Sequence, residues 1–187
     1  MNRIKILVLA IVLVAMPMFF STCLAAGKDD HVVLDTRDFI EACGLKGKGF
    51  GHQAILSKEY ANSAEGQELI MRFVNCQMAY EGGNAAEAPG KPEAIIEEVR
   101  RHSLGETLWG AVKFLDGDRY IAVTKSVNNV DQNDPKGGWG CIDYEGKVTV
   151  PLKYHLIIDG DTDLNAIAVM DQSGRYGVLK NDGSVGL

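Results

Sequence analysis

Asp159, Asp161 and Asp163 stand at alternate positions in Asp159-Gly160-Asp161-Thr162-Asp163-Leu164-Asn165, the spacing at which carboxylates converge on one hard cation such as calcium. The pattern is incomplete, because Leu164 occupies the sixth position, where glycine is needed, and Met170 the twelfth, where a bidentate glutamate belongs. The three aspartates are thus a weak calcium candidate, and a polar hairpin loop is the simpler reading. His31, His52, His102 and His155 are dispersed, and no close His-x-x-x-His or Cys-x-x-Cys pair supports zinc. Cys43 could meet His52 or His102 only in space. It also falls at the end of a predicted helix, whereas a nucleophilic thiolate is favoured at a helix start. Gly44, Gly47, Gly49 and Gly51 with Lys46 and Lys48 invite a phosphate-loop reading, but neither Gly-Lys-Ser/Thr nor Gly-x-Gly-x-x-Gly after a strand is present. No catalytic residue and no cofactor is assigned.

Aromatic side chains are the remaining chemistry. Trp109, Tyr120, Trp139, Tyr144, Tyr154 and Tyr176 all fall in the C-terminal half, and exposed rings anchor interfaces and stack on sugars. They are the candidate binding residues, against the alternative that most of them, Trp139 and Tyr176 above all, are core.

The start of the chain reads as a targeting segment. Arg3 and Lys5 precede an uncharged apolar run over residues 6–20, and small residues follow up to Ala26, the pattern of a cleaved secretory signal. The run is shorter than the roughly 20 residues of a spanning helix and contains Pro17, so no stable transmembrane anchor is expected after cleavage. Cys23 raises a lipoprotein reading, the weaker one because Phe20-Ser21-Thr22 is not a lipoprotein signal. Periplasmic or secreted localisation follows. The whole chain has a formal charge of −6, and losing Arg3 and Lys5 makes the remainder more acidic, which argues against nucleic acid as a partner. Cys43, Cys76 and Cys141 survive cleavage; export permits a disulfide, and Cys43 with Cys76 is the preferred pair because both fall in the helical part.

Residues 27–105 read as a helical N-terminal region. Asp35 or Thr36 is a cap for a short helix ending at Gly44, Asn62-Ser63-Ala64-Glu65 is a capping box that opens a long one over residues 63–80, and Pro92 starts a third over residues 92–103 with Arg100, Arg101 and His102 at its end. Residues 44–51 and 85–91 read as connectors. From Leu108 the hydrophobic period shortens to two, and residues 106–187 read as a series of antiparallel strands. Pro151 predicts a break inside the strand-like piece 147–158.

An internal repeat organises this half. Trp139-Gly140-Cys141-Ile142-Asp143-Tyr144-Glu145-Gly146-Lys147-Val148 returns as Tyr176-Gly177-Val178-Leu179-Lys180-Asn181-Asp182-Gly183-Ser184-Val185 at one fixed offset. Together with Val150-Pro151-Leu152-Lys153-Tyr154 and Ala168-Val169, residues 120–185 resemble the WG-repeat family of bacterial proteins. The second copy departs by carrying Tyr176 for the tryptophan, and the first carries an insertion at 128–136. The resemblance implies β-hairpin units with a binding or interaction role and no catalytic chemistry. The expectation is an α+β protein, short N-terminal helices packed on a C-terminal antiparallel meander of WG-like hairpin repeats. It would act as an exported, non-enzymatic module binding an unknown protein or an envelope glycan. A small secreted hydrolase or an inhibitor/immunity-type protein are the alternatives.

Overall fold

The computed structural model describes residues 24–25, 30–115, 121–126, 138–159, 167–180 and 184–186. Within them the chain is α+β, with three antiparallel sheets. The first sheet has the order β1 (Leu24–Ala25), β2 (His31–Asp35), β3 (Gln53–Ser57). Between β2 and β3 lies α1 (Arg37–Ala42). Its first turn is held by the Asp35 carboxylate, which accepts the Arg37 N–H at 3.0 Å and pairs with the Arg37 guanidinium. Thr36 plays a different part. Its buried hydroxyl donates to the Gly51 carbonyl at 3.0 Å, so the connector 44–51 is fastened back onto the start of α1.

Three further helices follow: α2 (Lys58–Asn62), α3 (Ala64–Glu81) and α4 (Pro92–His102). Ser63 caps α3 by accepting the Gly66 N–H at 3.0 Å, a cap worth about 1 kcal/mol. The apolar stripe behind it, Leu69, Ile70, Phe73 and Cys76, is buried against α1 and α4. Phe39 of α1 stacks on Phe73 with ring centroids 4.3 Å apart. Both rings are fully buried, and each contributes about 2 kcal/mol by leaving water. Pro92 opens α4, whose Ile95, Ile96 and Val99 complete this core, while Arg72 of α3 pairs with Glu98 of α4 at its rim.

The region 27–105 is therefore mixed and not only helical, which corrects the expectation from sequence. Val32-Val33-Leu34 and Ala54-Ile55-Leu56 are short apolar runs without a strict alternation, as expected of strands covered on both sides. Leu34, Ala54 and Leu56 face the helices, whereas Ile55 faces the C-terminal half.

The C-terminal half is two four-stranded meanders laid one on the other. The first has the order β4 (Ala111–Phe114), β5 (Ile121–Thr124), β6 (Trp139–Ile142), β7 (Val148–Tyr154). The second consists of β8 (Leu156–Asp159), β9 (Ile167–Met170), β10 (Tyr176–Leu179) and β11 (Val185–Gly186), each paired with the next. The aromatic-Gly strand is third in both sheets, and an Ile-Ala-Val strand is second in both, Ile121-Ala122-Val123 and Ile167-Ala168-Val169. One face of the first meander, with Ile121, Val123 and Ile142, packs on Ile55 and Trp109. Its other face, with Ala122, Cys141 and Val150, packs on Ile157, Ile167, Val169 and Leu179 of the second. The layers run helices, first sheet, first meander, second meander.

Pro151 does not break its strand. β7 passes through it and ends at Tyr154, with His155 as the interruption before β8. β7 is the edge of its sheet, where a residue without an N–H leaves no central ladder bond unmade. The pairing of β6 with β7 is irregular between Trp139 and Ile142, and there Gly140 admits the neighbouring backbone: a Cβ on it would stand 2.4 Å from the Val150 carbonyl oxygen. Gly140→Ala is expected to cost roughly 1–3 kcal/mol as an overpacking substitution, read as a lower urea midpoint, whereas Gly174→Ala, where nothing lies within 4 Å but φ is +83°, is expected to cost about 1 kcal/mol.

Candidate functional site

The six aromatic candidates do not assemble into one face. Trp109 is 2% exposed and Tyr154 8%, so both are core residues with no ring surface to offer, a correction to their reading as binding residues. The reason is position: Trp109 sits where the N-terminal unit meets β4, and Tyr154 lies opposite Trp139 between the two meanders. Trp139 is partly buried against that same core, and Tyr144 is half-buried over His31 with centroids 5.5 Å apart. Tyr176 stands apart at 64% exposed, against its expectation as a core ring. Tyr120, Asp161, Asp163 and the insertion 128–136 lie outside the described residues, as does the side chain of Asp159. Among the described residues no cluster of three metal-ligating side chains exists.

Around Tyr176 the sheet has an unusual composition. An antiparallel sheet with one face in water alternates polar and apolar residues, yet Leu156-Ile157-Ile158, Ile167-Ala168-Val169-Met170 and Tyr176-Gly177-Val178-Leu179 are apolar throughout. Ile157, Ile167, Val169 and Leu179 are buried in the core between the meanders. Side chains alternate along a strand, so Leu156, Ile158, Ala168, Met170, Tyr176 and Val178 form the opposite, outer face. The pairing registers align them as two rows, Leu156–Met170–Tyr176 and Ile158–Ala168–Val178. Val178 is 49% exposed. No charge lies at any of these six positions. Sequence reasoning singled out Tyr176 but missed its neighbours, although the unbroken apolar runs signalled strands apolar on both faces.

A second feature is an open groove of about 560 Å3 where the N-terminal unit meets the first meander, lined by Ser57, His102, Ser103, Glu106 and Glu145 among others. Glu106 has a left-handed backbone, φ 49°, although it is not glycine, a conformation that costs of order 1 kcal/mol and is held here by neighbours. Its carbonyl accepts from the Arg100 guanidinium at 2.7 Å, and its N–H donates to the Ser103 carbonyl at 2.7 Å. The groove's hydroxyls are occupied structurally. Ser103 Oγ accepts the Ile55 N–H and donates to the Thr107 carbonyl, and Ser57 Oγ caps α2 by accepting the Tyr60 N–H. His102 stacks on Tyr60 at 4.1 Å. The groove lies at the joint between the two parts.

The thiols are equally unsuited to attack. Burial pushes the Cys43 thiol up to about 12, assisted by the neighbouring Cys76. Burial likewise pushes Cys141 up to about 12. All three are therefore protonated at neutral pH, the reverse of an activated cysteine. The structure does bring Cys43 and Cys76 together, as neighbouring free thiols in the core between α1 and α3. His31 is buried, and its Nδ1 has no hydrogen-bond partner among the described residues. Desolvation lowers its affinity for a proton, an effect that Asp30 opposes and Lys58 reinforces. Desolvation and then the Arg37 charge do the same at His52. Among the described residues no helix is long and apolar enough to cross a membrane.

Comparison with known proteins returns no matching family model, no similar curated protein and no similar solved structure.

Two predictions follow from these buried groups. His31 and His52 bind protons less readily in the fold than in the unfolded chain, so stability is full above the ordinary histidine value of 6.5 and declines as pH falls below it. The urea midpoint is expected to drop between about pH 7 and about pH 5, with a shallower drop in the double variant His31→Gln/His52→Gln; an identical slope in that variant refutes the assignment. For the cysteines, exposure to a small-molecule disulfide oxidant is expected to join Cys43 to Cys76, each thiol giving up a proton and the pair two electrons. Alkylation of the unfolded chain then labels both only after reduction, and reduction lowers stability by about 2–4 kcal/mol. Labelling of both without reductant excludes the bond.

Proposed function

We propose that the chain is an exported, non-enzymatic protein-interaction module of the bacterial cell envelope, built on WG-like β-repeats, and that the outer face of the second meander is its contact surface. One observation carries this reading: six apolar residues in two aligned rows, Tyr176 and Val178 exposed and the other four half-buried, on a sheet whose other face is already a core. Contiguous exposed apolar patches mark interaction sites in soluble proteins, and an exposed aromatic beside aliphatics is the composition of interface centres. Export rests on the leader in residues 1–26. The WG-like reading is supported by the same strand order in both meanders, with the aromatic-Gly strand third in each.

A protein surface fits this face better than an envelope glycan. Sugars are held by aromatic stacking combined with polar groups that fix hydroxyls, and the six outer positions offer one ring and no hydrogen-bonding side chain besides the Tyr176 hydroxyl. The hydrolase alternative draws no support from buried, protonated thiols and capped serine hydroxyls.

The test is site-specific photo-crosslinking in the producing cell. A benzophenone amino acid at Tyr176 is expected to give one discrete protein adduct, whereas the same probe at Met78, an exposed apolar residue on α3 at 58%, gives none. Absence of an adduct at Tyr176, or the same adduct at both positions, defeats the proposal.

A further inference from the structure

The repeat supplies its own precedent for what covers the outer face. Superposing the two meanders by their strand order places Trp139 on Tyr176, Cys141 on Val178, and Ala122 on Ala168. The cross-strand pairs match as well, since Ala122 lies opposite Cys141 and Ala168 opposite Val178. The opposite faces correspond in the same way, Ile121 with Ile167, Val123 with Val169 and Ile142 with Leu179. In the first meander Ala122 and Cys141 are fully buried, because the second meander lies on them. In the second meander the equivalent face, with Ala168 and Val178, has no sheet on it among the described residues. The fold thus shows within one chain that this face is a sheet-stacking surface, and that its complement is an apolar β-sheet face.

A second copy could offer two such faces. The one bearing Ile121, Val123 and Ile142 is closed, covered by Ile55, Leu104 and Trp109 of the N-terminal unit. Head-to-tail stacking, which would propagate into a filament, is thereby blocked by the chain's own first residues. Among the described residues, the sheet face on the second copy with no layer on it is the same outer face. We infer that the chain forms a closed, two-fold dimer in which the outer faces of the two second meanders stack on each other through Leu156, Ile158, Ala168, Met170, Tyr176 and Val178. This rests on the reading of that face as the contact surface and names its partner. The uncharged patch lets two net-acidic chains meet without opposing carboxylates at the contact. Six side chains on each copy make a small interface by the standard of about 800 Å2 per partner, so association is expected to depend on concentration in the accessible micromolar range.

Sedimentation velocity of the full chain over a concentration series tests this. The expected result is a reversible monomer–dimer equilibrium without larger species. The double variant Tyr176→Lys/Val178→Lys should move the midpoint to at least roughly ten-fold higher concentration, and Met78→Lys should leave it in place. Circular dichroism and urea midpoints check that the double variant is folded. Should it unfold, the single variant Ala168→Glu, at the centre of the patch, takes its place with the same expected loss of dimer. A chain that stays monomeric at concentrations on the order of 100 µM, a dimer insensitive to these variants, or open-ended assembly each overturns the inference. If the chain is monomeric yet the Tyr176 probe still captures a different protein in cells, the second copy is excluded as partner while the contact surface stands. If the probe captures nothing as well, both fall.

Discussion

Trp109 and Gln53 exchange backbone hydrogen bonds, the Trp109 N–H donating at 2.8 Å and its carbonyl accepting the Gln53 N–H at 2.9 Å, and through this pairing the two halves of the molecule share one frame. The Gln53 side chain extends the join, since Oε1 accepts the Val112 N–H at 2.7 Å at the start of β4. Trp109 completes it by donating from Nε1 to the Leu104 carbonyl at 3.3 Å. Close backbone approach makes this compatible with packing. A Cβ at Gly51 would stand 2.1 Å from the Leu108 carbonyl oxygen, and one at Gly146 would stand 2.5 Å from Gly105 N. A ladder bond pairs groups that would otherwise be buried unsatisfied at a cost of about 1–3 kcal/mol each. The orientation of the first sheet relative to the first meander is therefore specified by directional bonds, and the apolar contacts of Ile55 with Ile121, Val123 and Ile142 fill the space that those bonds define.

Beyond that join, the same solution is used twice. Each meander turns an apolar face toward the layer before it and carries apolar residues on its other face as well, which in the first meander meets the second. The turns between strands have their own polar devices. Asp143 Oδ1 accepts the Glu145 and Lys147 N–H groups, and Asp171 Oδ1 accepts those of Ser173 and Arg175. Ser173, then Arg175, hold the Asp171 carboxyl below the usual carboxylate range. The two turns are equivalent in this respect, although Asp143 follows an aromatic-Gly strand and Asp171 precedes one. An Asp-x-x-Gly signature thus closes both of these hairpins.

Local signals were legible in the sequence wherever one residue decides the outcome. The capping-box residues 62–65 announce α3, with the cap falling on Ser63 one residue later than Asn62, Pro92 opens α4, and the aromatic-Gly strands mark equivalent places in the two sheets. What could not be read depended on partners distant in the chain. β2 and β3 are covered by helices on one side and by a meander on the other, and Val32-Val33-Leu34 does not reveal that. Pro151 was a fair signal for a break, but its effect depends on whether β7 lies at an edge, which is a property of the whole sheet. Thr36 has the side chain of a helix cap and spends it on Gly51 instead. For the aromatics, residue type was informative and exposure was not: Trp109 and Tyr176 occupy similar sequence contexts, yet one lies between two layers and the other on the last.

The three sheets are stacked in the order of the chain. Each sheet is completed from consecutive strands before the next begins, and each meander rests on the sheet before it. Such a molecule approximates a short one-dimensional array, with stability approximated by the sum of each layer and its nearest-neighbour contacts. The first meander has neighbours on both sides, whereas the second has one. Opening should therefore be graded along the sequence, with amide exchange in β8 to β11 escaping through local fluctuations while β5 and β6 open only with the whole domain. The same arrangement keeps most pairings short in sequence separation, which favours rapid formation of each sheet as its strands become available.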